Sequence, residues 1–300
     1  MPVRIVQSKQ NARLKELRRA LAAPARGGAA LAGIEGPNLI EEALRARLGI
    51  ECVFVAQGAE EALDALALPA GIEVLLVPKK ILGSALTTET PQPIAALVAP
   101  FDWIWRDILE SGADEGNRTA PLVLVLAGLQ DPGNLGTILR SAEAFGATGV
   151  VALPGTASAW NPKAVRASAG SVFRMPLITA GVKECFTRLH AAGVAIWTTA
   201  VRDATEVQRA DLKSAAALVI GNEGNGVPRE VAVLADGAIT IPCPGPVESL
   251  NAAVAASVLL YEAARQRSAG MVVDSRQNRK NPPRRTATGR HLDLPTGGRP

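Results

Sequence analysis

The sequence has few of the side chains that hold metals or form disulfides. Its 300 residues include three cysteines and two histidines, and Cys52, Cys185 and Cys243 show no CxxC spacing. We therefore expect neither a disulfide framework nor a zinc site, and a reducing cytoplasm is the expected compartment. Two histidines also leave little material for a histidine-based triad or a metal cluster, so the prediction is a site without metal.

Long apolar runs are missing as well. No stretch of 18 or more residues is free of polar interruptions, so we expect no membrane span. The first 20 residues are polar and basic without an apolar segment, which argues against a secretory signal. A hydrophobic content of 48% over 300 residues is nevertheless enough for two globular domains, each with its own core.

The positive charge is concentrated at one end of the chain. The formal net charge is +4, but residues 269–300 hold seven Lys or Arg and two Asp, a net of +5. Few apolar residues occur there, so we expect a disordered tail. Such a tail either contacts RNA phosphates without reading sequence or is simply solvated, and composition leaves both alternatives open.

The first 110 residues have the pattern of a small α/β domain. Apolar periodicity predicts a helix around Leu14–Leu21, strands at 29–34, 51–56 and 73–77, and helices at 38–47, 60–66 and 79–84. Residues 101–105 fit either a last strand or the start of a connection. The stretch 111–120 (SGADEGNRTA) has no apolar period and is predicted to be a linker.

Short apolar strands alternate with helices from residue 121 to residue 268. This alternation predicts an α/β domain with a mostly parallel sheet that is covered on both faces. Such sheets bind ligands beyond the carboxyl ends of their strands, so the loops after Ala127, Ile220 and Ile241 are the candidate ligand loops. The last helix is predicted at 250–266, with Ser249 as its N-cap.

The three loops are rich in the residues that shape binding sites. They are DPGNLGT at 131–137, GNEGNGVP at 221–228 and IPCPGPVESLN at 241–251. In the first loop, glycines let the backbone approach a ligand, and Arg140 is expected one turn into the following helix. An ordinary capped helix, a plain turn and a simple N-cap are the alternative readings of the three loops.

Together these loops resemble the three signature motifs of the SpoU/TrmH family of RNA 2′-O-methyltransferases. The first loop matches at Asn134, Gly136 and Arg140, the second at Gly221, Glu223, Gly224 and Gly226, and the third at Ile241, Pro242, Ser249, Leu250 and Asn251. More weakly, GIEGPNLIEEAL and TTETPQPIAALV resemble the family's N-terminal RNA-binding domain, which is related to a ribosomal-protein fold.

The resemblance implies an enzyme that uses S-adenosylmethionine to methylate a ribose 2′-hydroxyl, and the expected substrate is 23S ribosomal RNA. It implies a deep trefoil knot in the catalytic domain and a homodimer in which small residues of the last helix approach the partner. By residue matching, the catalytic set is Asn134, Arg140, Glu223, Ser249 and Asn251, and the cofactor-binding set is Gly221, Ile241 and Leu250. Arg140 is expected to position the nucleotide, with Glu223 holding either Arg140 or that nucleotide.

Three other functions are compatible with parts of the sequence. A transfer RNA methyltransferase and a resistance-type methyltransferase would share this chemistry, and a non-catalytic RNA-binding assembly factor would share the fold. A dinucleotide-binding oxidoreductase would require GxGxxG after the first strand, and that fingerprint is missing. The predicted organisation is thus an RNA-binding domain at 1–110, a linker at 111–120, a catalytic domain at 121–268 and a basic tail at 269–300.

Overall fold

The computed structural model describes residues 3–22, 30–110, 120–247 and 249–268. The predicted basic tail at 269–300 lies outside the described residues, as does the predicted linker apart from Ala120. None of the helices in the described part of the chain has the length and apolarity needed to cross a bilayer.

The N-terminal part is a five-stranded mixed sheet with short helices. Its strands are β1 (Val3–Ile5), β2 (Ala32–Glu35), β3 (Gly49–Ala56), β4 (Glu73–Val77) and β5 (Ile94–Ala99). Its helices are α1 (Ala12–Ala22), α2 (Pro37–Arg45), α3 (Glu61–Asp64) and α4 (Lys79–Gly83). A further helix, α5 (Trp105–Leu109), follows this sheet in the chain but packs against the second sheet. The strand order is β1-β4-β3-β5-β2, in which β5 runs antiparallel to both of its neighbours. The predicted small α/β unit is present.

The second sheet has seven strands, all of them parallel to their neighbours. They are β6 (Leu122–Leu126), β7 (Gly149–Ala152), β8 (Leu177–Thr179), β9 (Ala195–Thr199), β10 (Thr205–Glu206), β11 (Ala216–Ile220) and β12 (Gly237–Thr240). The helices are α6 (Pro132–Ala144), α7 (Pro162–Ser168), α8 (Val182–Ala191), α9 (Arg229–Ala232) and α10 (Ala252–Ser268), with 3₁₀ turns at Ser171–Phe173 and Val207–Arg209. The order β10-β12-β9-β11-β6-β7-β8 confirms the predicted parallel α/β architecture.

Burial explains why these segments become strands. Every residue of β6 and β11 is buried, as expected for central strands of a sheet that is covered on both faces. Alternate residues of β6 point to opposite faces, so Leu122, Leu124 and Leu126 join one apolar cluster and Val123 and Val125 join another. The first of these clusters also includes buried residues of β2 and α2, so one core continues from the N-terminal sheet into the second sheet.

Several boundaries differ from those expected. Residues 101–104 form no strand and lead into α5, so the last strand of the first sheet is β5, at Ile94–Ala99. The final helix begins at Ala252 rather than at residue 250, because Asn251 accepts hydrogen bonds from the first free N–H groups of the helix. Ser249 is therefore not the N-cap, and that prediction was wrong.

Candidate functional site

The three candidate loops meet at one rim of the seven-stranded sheet. Strands β12, β9, β11 and β6 are consecutive neighbours in the sheet and run in the same direction, so their carboxyl ends lie side by side. The first motif follows β6, the second follows β11 and the third follows β12. The topology thus brings together segments that are up to 117 residues apart in sequence.

The first motif is mostly helix rather than loop. Helix α6 begins at Pro132, and the Asp131 carboxylate caps it by accepting from the Gly133 N–H at 2.8 Å. Lys163 Nζ donates to the same carboxylate oxygen at 2.7 Å. This ammonium group, together with the Gly133 N–H, holds the pKa of Asp131 below its ordinary value. The N-terminus of α6 at this rim is therefore held by a side-chain cap, and the capping carboxylate is itself held by an ion pair.

Gly136 serves helix packing, not ligand approach. A Cβ atom at this position would lie 2.3 Å from the carbonyl oxygen of Ala164 and 2.7 Å from the Cβ of Ala167, both in α7. The residue is buried and lies in the second turn of α6. The expectation that this glycine opens the backbone to a ligand was wrong, because α7 occupies the space.

The second motif forms a tight loop that is closed by its own backbone. Asn222 and Gly226 exchange both N–H···O hydrogen bonds at 2.9 Å. The side chain of Asn222 accepts from the Gly224 N–H and donates to the carbonyl oxygen of Gly128 after β6. A Cβ at Gly221 would lie 2.1 Å from the carbonyl carbon of Gly226, so only glycine allows the chain to double back here.

Glu223 lies at the tip of this loop and reaches across to the first motif. Its carboxylate accepts from the backbone N–H groups of Gln130 (3.2 Å) and Asp131 (3.1 Å) and from Asn134 Nδ2 (3.0 Å). Burial opposes ionisation of this group, but these donors together with its own backbone N–H outweigh that effect and lower the pKa of Glu223. A carboxylate held by three donors is an anchor between two loops.

Asn251 connects the third motif to the same group of residues. Its Oδ1 caps α10 through the N–H groups of Ala253 (2.9 Å) and Val254 (3.2 Å), which leaves Nδ2 to donate to Asn134 Oδ1 at 3.1 Å. Asn134 must direct its own Nδ2 to Glu223, because a carboxylate can only accept. Both the oxygen and the nitrogen of each amide group therefore have a partner, which fixes the orientation of the two side chains. We call Asn251, Asn134 and Glu223 the amide relay.

Arg140 stands apart from the amide relay. It is exposed and lies two turns into α6 rather than the expected one turn, because the helix starts earlier than predicted. Within the described residues it has no hydrogen bond or ion pair, and Glu223 contacts Asn134 instead of Arg140. Its guanidinium is therefore available to a ligand at the surface of α6.

The remaining matched residues line the third loop. Ser249 is exposed, and no hydrogen bond of its side chain occurs among the described residues. Ile241 and Leu250 are half-buried, and Ile241 packs against the main apolar cluster. The buried Gly221 follows β11, which is separated from β12 and the third loop by β9.

Two site residues were missed in the sequence. Asn222 ties the second loop to Gly128, and Lys163 of α7 pairs with the helix cap at Asp131. An Asn that follows a buried strand after one glycine and precedes two further glycines is typical of an Asx turn and could have been noticed. Lys163 gives no such signal, because its partner is 32 residues away.

The fold and the site together define a ligand-binding α/β protein of one known class. Residues 121–261 match the SpoU rRNA Methylase family, and residues 34–103 match the RNA 2′-O ribose methyltransferase substrate-binding domain. The chain belongs to the SpoU rRNA methylase family.

Named relatives and solved structures agree with this assignment. The chain is 35% identical over 228 residues to the 23S rRNA (guanosine(2553)-2'-O)-methyltransferase RlmP of Bacillus subtilis, covering 76% of this chain and 86% of that protein. It is 36% identical to the 23S rRNA (guanosine-2'-O-)-methyltransferase RlmB of Xanthomonas campestris, covering 66% and 79%. Among solved structures, the AdoMet-bound rRNA methyltransferase of Sinorhizobium meliloti has a TM-score of 0.73 at 30% identity, covering 88% and 98%. The SpoU methyltransferase AviRb of Streptomyces viridochromogenes, in complex with AdoMet, has a TM-score of 0.72 at 27% identity, covering 87% and 100%.

Proposed function

We propose that the chain is an S-adenosylmethionine-dependent RNA methyltransferase that methylates a ribose 2′-hydroxyl of 23S ribosomal RNA in the cytoplasm. The observation that carries this proposal is the amide relay, which joins all three family motifs through two asparagines and one carboxylate at a single rim. The relatives named as 23S rRNA 2′-O-methyltransferases supply the substrate class.

The residues at the rim fit the cofactor. S-adenosylmethionine supplies a methyl group on a positively charged sulfur, and it combines an apolar adenine face with polar edges. Ile241 and Leu250 offer half-buried apolar side chains, and the tight loop that Gly221 allows offers main-chain groups. A slot of this kind, apolar with main-chain hydrogen-bonding groups, is typical of nucleoside sites. We assign these three residues to the cofactor.

The other matched residues act on the RNA. Arg140 has the free, planar guanidinium that suits bidentate binding of a phosphate. We propose that it positions the target nucleotide and stabilises negative charge that develops on the 2′-oxygen. Arginine does not act as a proton acceptor in proteins, so the 2′-proton passes to solvent water at the exposed rim as the methyl moves from the sulfonium to the 2′-oxygen. Ser249, exposed in the third loop, contacts the substrate phosphate.

The amide relay serves alignment. Asn134 and Asn251 use their amides on each other, on Glu223 and on the start of α10, so their positions are fixed before RNA binds. Glu223 is a positioning residue in this account, because its carboxylate is occupied by three donors from the protein. Preorganisation of this kind supplies much of the rate enhancement when the reacting methyl is already activated.

The domain plan, knot and dimer remain proposals. We propose that residues 1–110 bind RNA, that 121–268 catalyse methyl transfer through a knotted chain, and that the protein is a homodimer. Of the five small residues expected at the dimer interface, Ala252, Ala253 and Ala256 are buried in their own chain, whereas Ala255 and Ser257 are half-buried. Support for the dimer comes from Val254, Val258 and Tyr261, which are exposed at helical spacing on α10.

Transfer of labelled methyl groups tests the function. Purified protein, tritiated S-adenosylmethionine and undermethylated ribosomal RNA should give label in the RNA, and nuclease digestion should release it as a 2′-O-methylnucleoside. Arg140→Ala should reduce the label, whereas Arg209→Ala, which removes an exposed arginine of a 3₁₀ turn, should not. Equal label with the wild type and Arg140→Ala would remove Arg140 from the site. Label in transfer RNA alone would change the substrate class, and no label in any RNA would favour an assembly factor.

A further inference from the structure

A charged cluster joins the N-terminal sheet to the helix that carries the site. Arg174, which directly follows the 3₁₀ turn at Ser171–Phe173, donates through Nε and Nη2 to both carboxylate oxygens of Glu143 in α6. Its Nη1 donates to Glu42 Oε2 in α2 at 2.7 Å. We call Glu42, Arg174 and Glu143 the junction cluster.

The side chains of the junction cluster are partly shielded from solvent. Side-chain exposure is 22% for Glu42 and 33% for both Arg174 and Glu143. A bidentate arginine–carboxylate pair fixes the plane of both groups, unlike a single contact between flexible surface chains. The cluster therefore has geometric specificity that most surface ion pairs lack.

Backbone packing at the same place is also tight. Gly170 has a φ of +88°, and a Cβ atom there would lie 2.7 Å from the Cβ of Glu42. Residues of β2 and α2 (Ala32, Ile34, Ile40, Ala43) belong to the same buried apolar cluster as residues of α6 (Leu135, Ile138, Leu139, Ala142). The N-terminal sheet is thus held against α6 and α7 by apolar contacts as well as by charge.

Helix α6 also carries the proposed methyl-transfer residues. Asn134 and Arg140 precede Glu143 on this helix, and Glu143 follows Arg140 by three residues, about 4.5 Å along the axis. Any movement of α2 relative to the second sheet would therefore act directly on the helix that presents Arg140 to the RNA.

We propose that Arg174 is a positioning residue that fixes the distance between the N-terminal RNA-binding part and the methyl-transfer rim. The enzyme then selects its target ribose by that fixed distance from the anchored RNA, rather than by a flexible search. This inference rests on the proposed function. A solely structural role would change the stability of the protein but not the turnover of the folded enzyme.

The chain offers a matched pair of variants for the test. Glu42→Ala removes the contact between Arg174 and α2 but leaves the bidentate pair with Glu143 in place. Glu41→Ala removes the same charge from the preceding residue of the same helix. Both glutamates also pair with the exposed Arg45, so each variant loses one contact with Arg45 and only Glu42→Ala also loses the contact with Arg174. Glu42→Gln keeps an acceptor of the same shape, so it should lose less than Glu42→Ala.

The decisive readout is the split between kcat and KM for methylation of ribosomal RNA. Glu42→Ala should lower kcat at least about tenfold with KM changed less than about twofold, because RNA still anchors but the ribose is misaligned. Glu41→Ala should match the wild type, and Glu42→Gln should lie between. Equal kcat for Glu42→Ala and Glu41→Ala would overturn the proposal, and so would a loss confined to KM.

Hydrogen exchange separates this inference from the proposed function. If the wild type labels no RNA, the proposed function fails. The rate of amide exchange in residues 170–175 then still tests whether Arg174 holds the two parts of the junction together. Faster exchange there in Glu42→Ala than in Glu41→Ala supports a junction held by Arg174, and equal exchange overturns it. The same measurement identifies a variant that fails to fold, because exchange would then rise throughout the chain.

Discussion

In the variant Gly136→Ala, the higher helix propensity of alanine and the packing of α6 against α7 have opposite effects on the free energy of unfolding. In an open helix this change stabilises by about 1 kcal/mol, because alanine is the better helix former. Here the added Cβ would lie 2.3 Å from the carbonyl oxygen of Ala164, 2.7 Å from the Cβ of Ala167 and 2.9 Å from the backbone nitrogen of Ser168. Two of these atoms are backbone, so the clash cannot be relieved by rotating a side chain.

Helices α6 and α7 must therefore separate by roughly 1 Å, which forfeits about a quarter to a half of the dispersion energy across their contact. Overpacking of this kind costs about 1–3 kcal/mol. After subtracting the propensity gain, we expect Gly136→Ala to lower the free energy of unfolding by up to about 2 kcal/mol.

Urea unfolding followed by circular dichroism measures this change, with Gly133→Ala as the control in the same helix. A Cβ at Gly133 meets the Cε of Lys163 at 2.9 Å, the far end of a flexible chain that can move aside. The free energy of unfolding of Gly133→Ala should therefore differ from that of the wild type by less than about 1 kcal/mol. A Gly136→Ala variant that is more stable than the wild type by about 1 kcal/mol, the gain of an open helix, would refute the assignment of this glycine to helix packing.

Three further predictions concern the amide relay and the end of α10. Asn134→Asp removes the donor to Glu223 and places a second negative charge beside it. Turnover should therefore fall at least about tenfold, which corresponds to about 1.4 kcal/mol of activation free energy. Asn225→Asp, at an exposed position of the same loop as Glu223, should leave turnover unchanged. The folded pKa of Glu223 is depressed, so its contribution to stability is present above the ordinary value of 4.5 and is lost as pH falls through the folded pKa. Glu223→Gln should therefore be less stable than the wild type at pH 7 in urea melts, with the difference vanishing at low pH. Arg267 donates to four backbone carbonyls, so Arg267→Lys should lower the free energy of unfolding by about 1–3 kcal/mol in the same melts. Arg265→Lys, at an exposed position of the same helix, should change it little. Equal losses in the two variants would contradict a stabilising role of the four carbonyl contacts.

The sequence predicts the buried part of this fold better than its edges. Strands such as β6 and β11 are continuous apolar runs, so their pattern alone identifies them. Strands β1 and β10 have three and two residues, of which none is buried, and they exist because a neighbouring strand offers them a partner. No local pattern encodes that pairing.

The candidate site is likewise predictable from the sequence only in part. Parallel strands predict that the three loops share a rim, and family motifs identify the residues in them. The amide relay itself depends on hydrogen bonds between residues 89 and 117 positions apart, which no spacing reveals. The capping of α10 by Asn251 instead of Ser249 shows the limit of cap prediction, since both residues precede the helix and both are good caps.

Mapping of ribose methylation in cellular ribosomal RNA tests the central claim most directly. A strain without the gene would be complemented with the wild type, with Asn134→Asp or with Asn225→Asp, and 2′-O-methyl positions would be mapped across all RNA. We predict at least one 23S ribose that is methylated with the wild type and Asn225→Asp but not with Asn134→Asp or without the gene. Identical maps in all four strains would contradict the account.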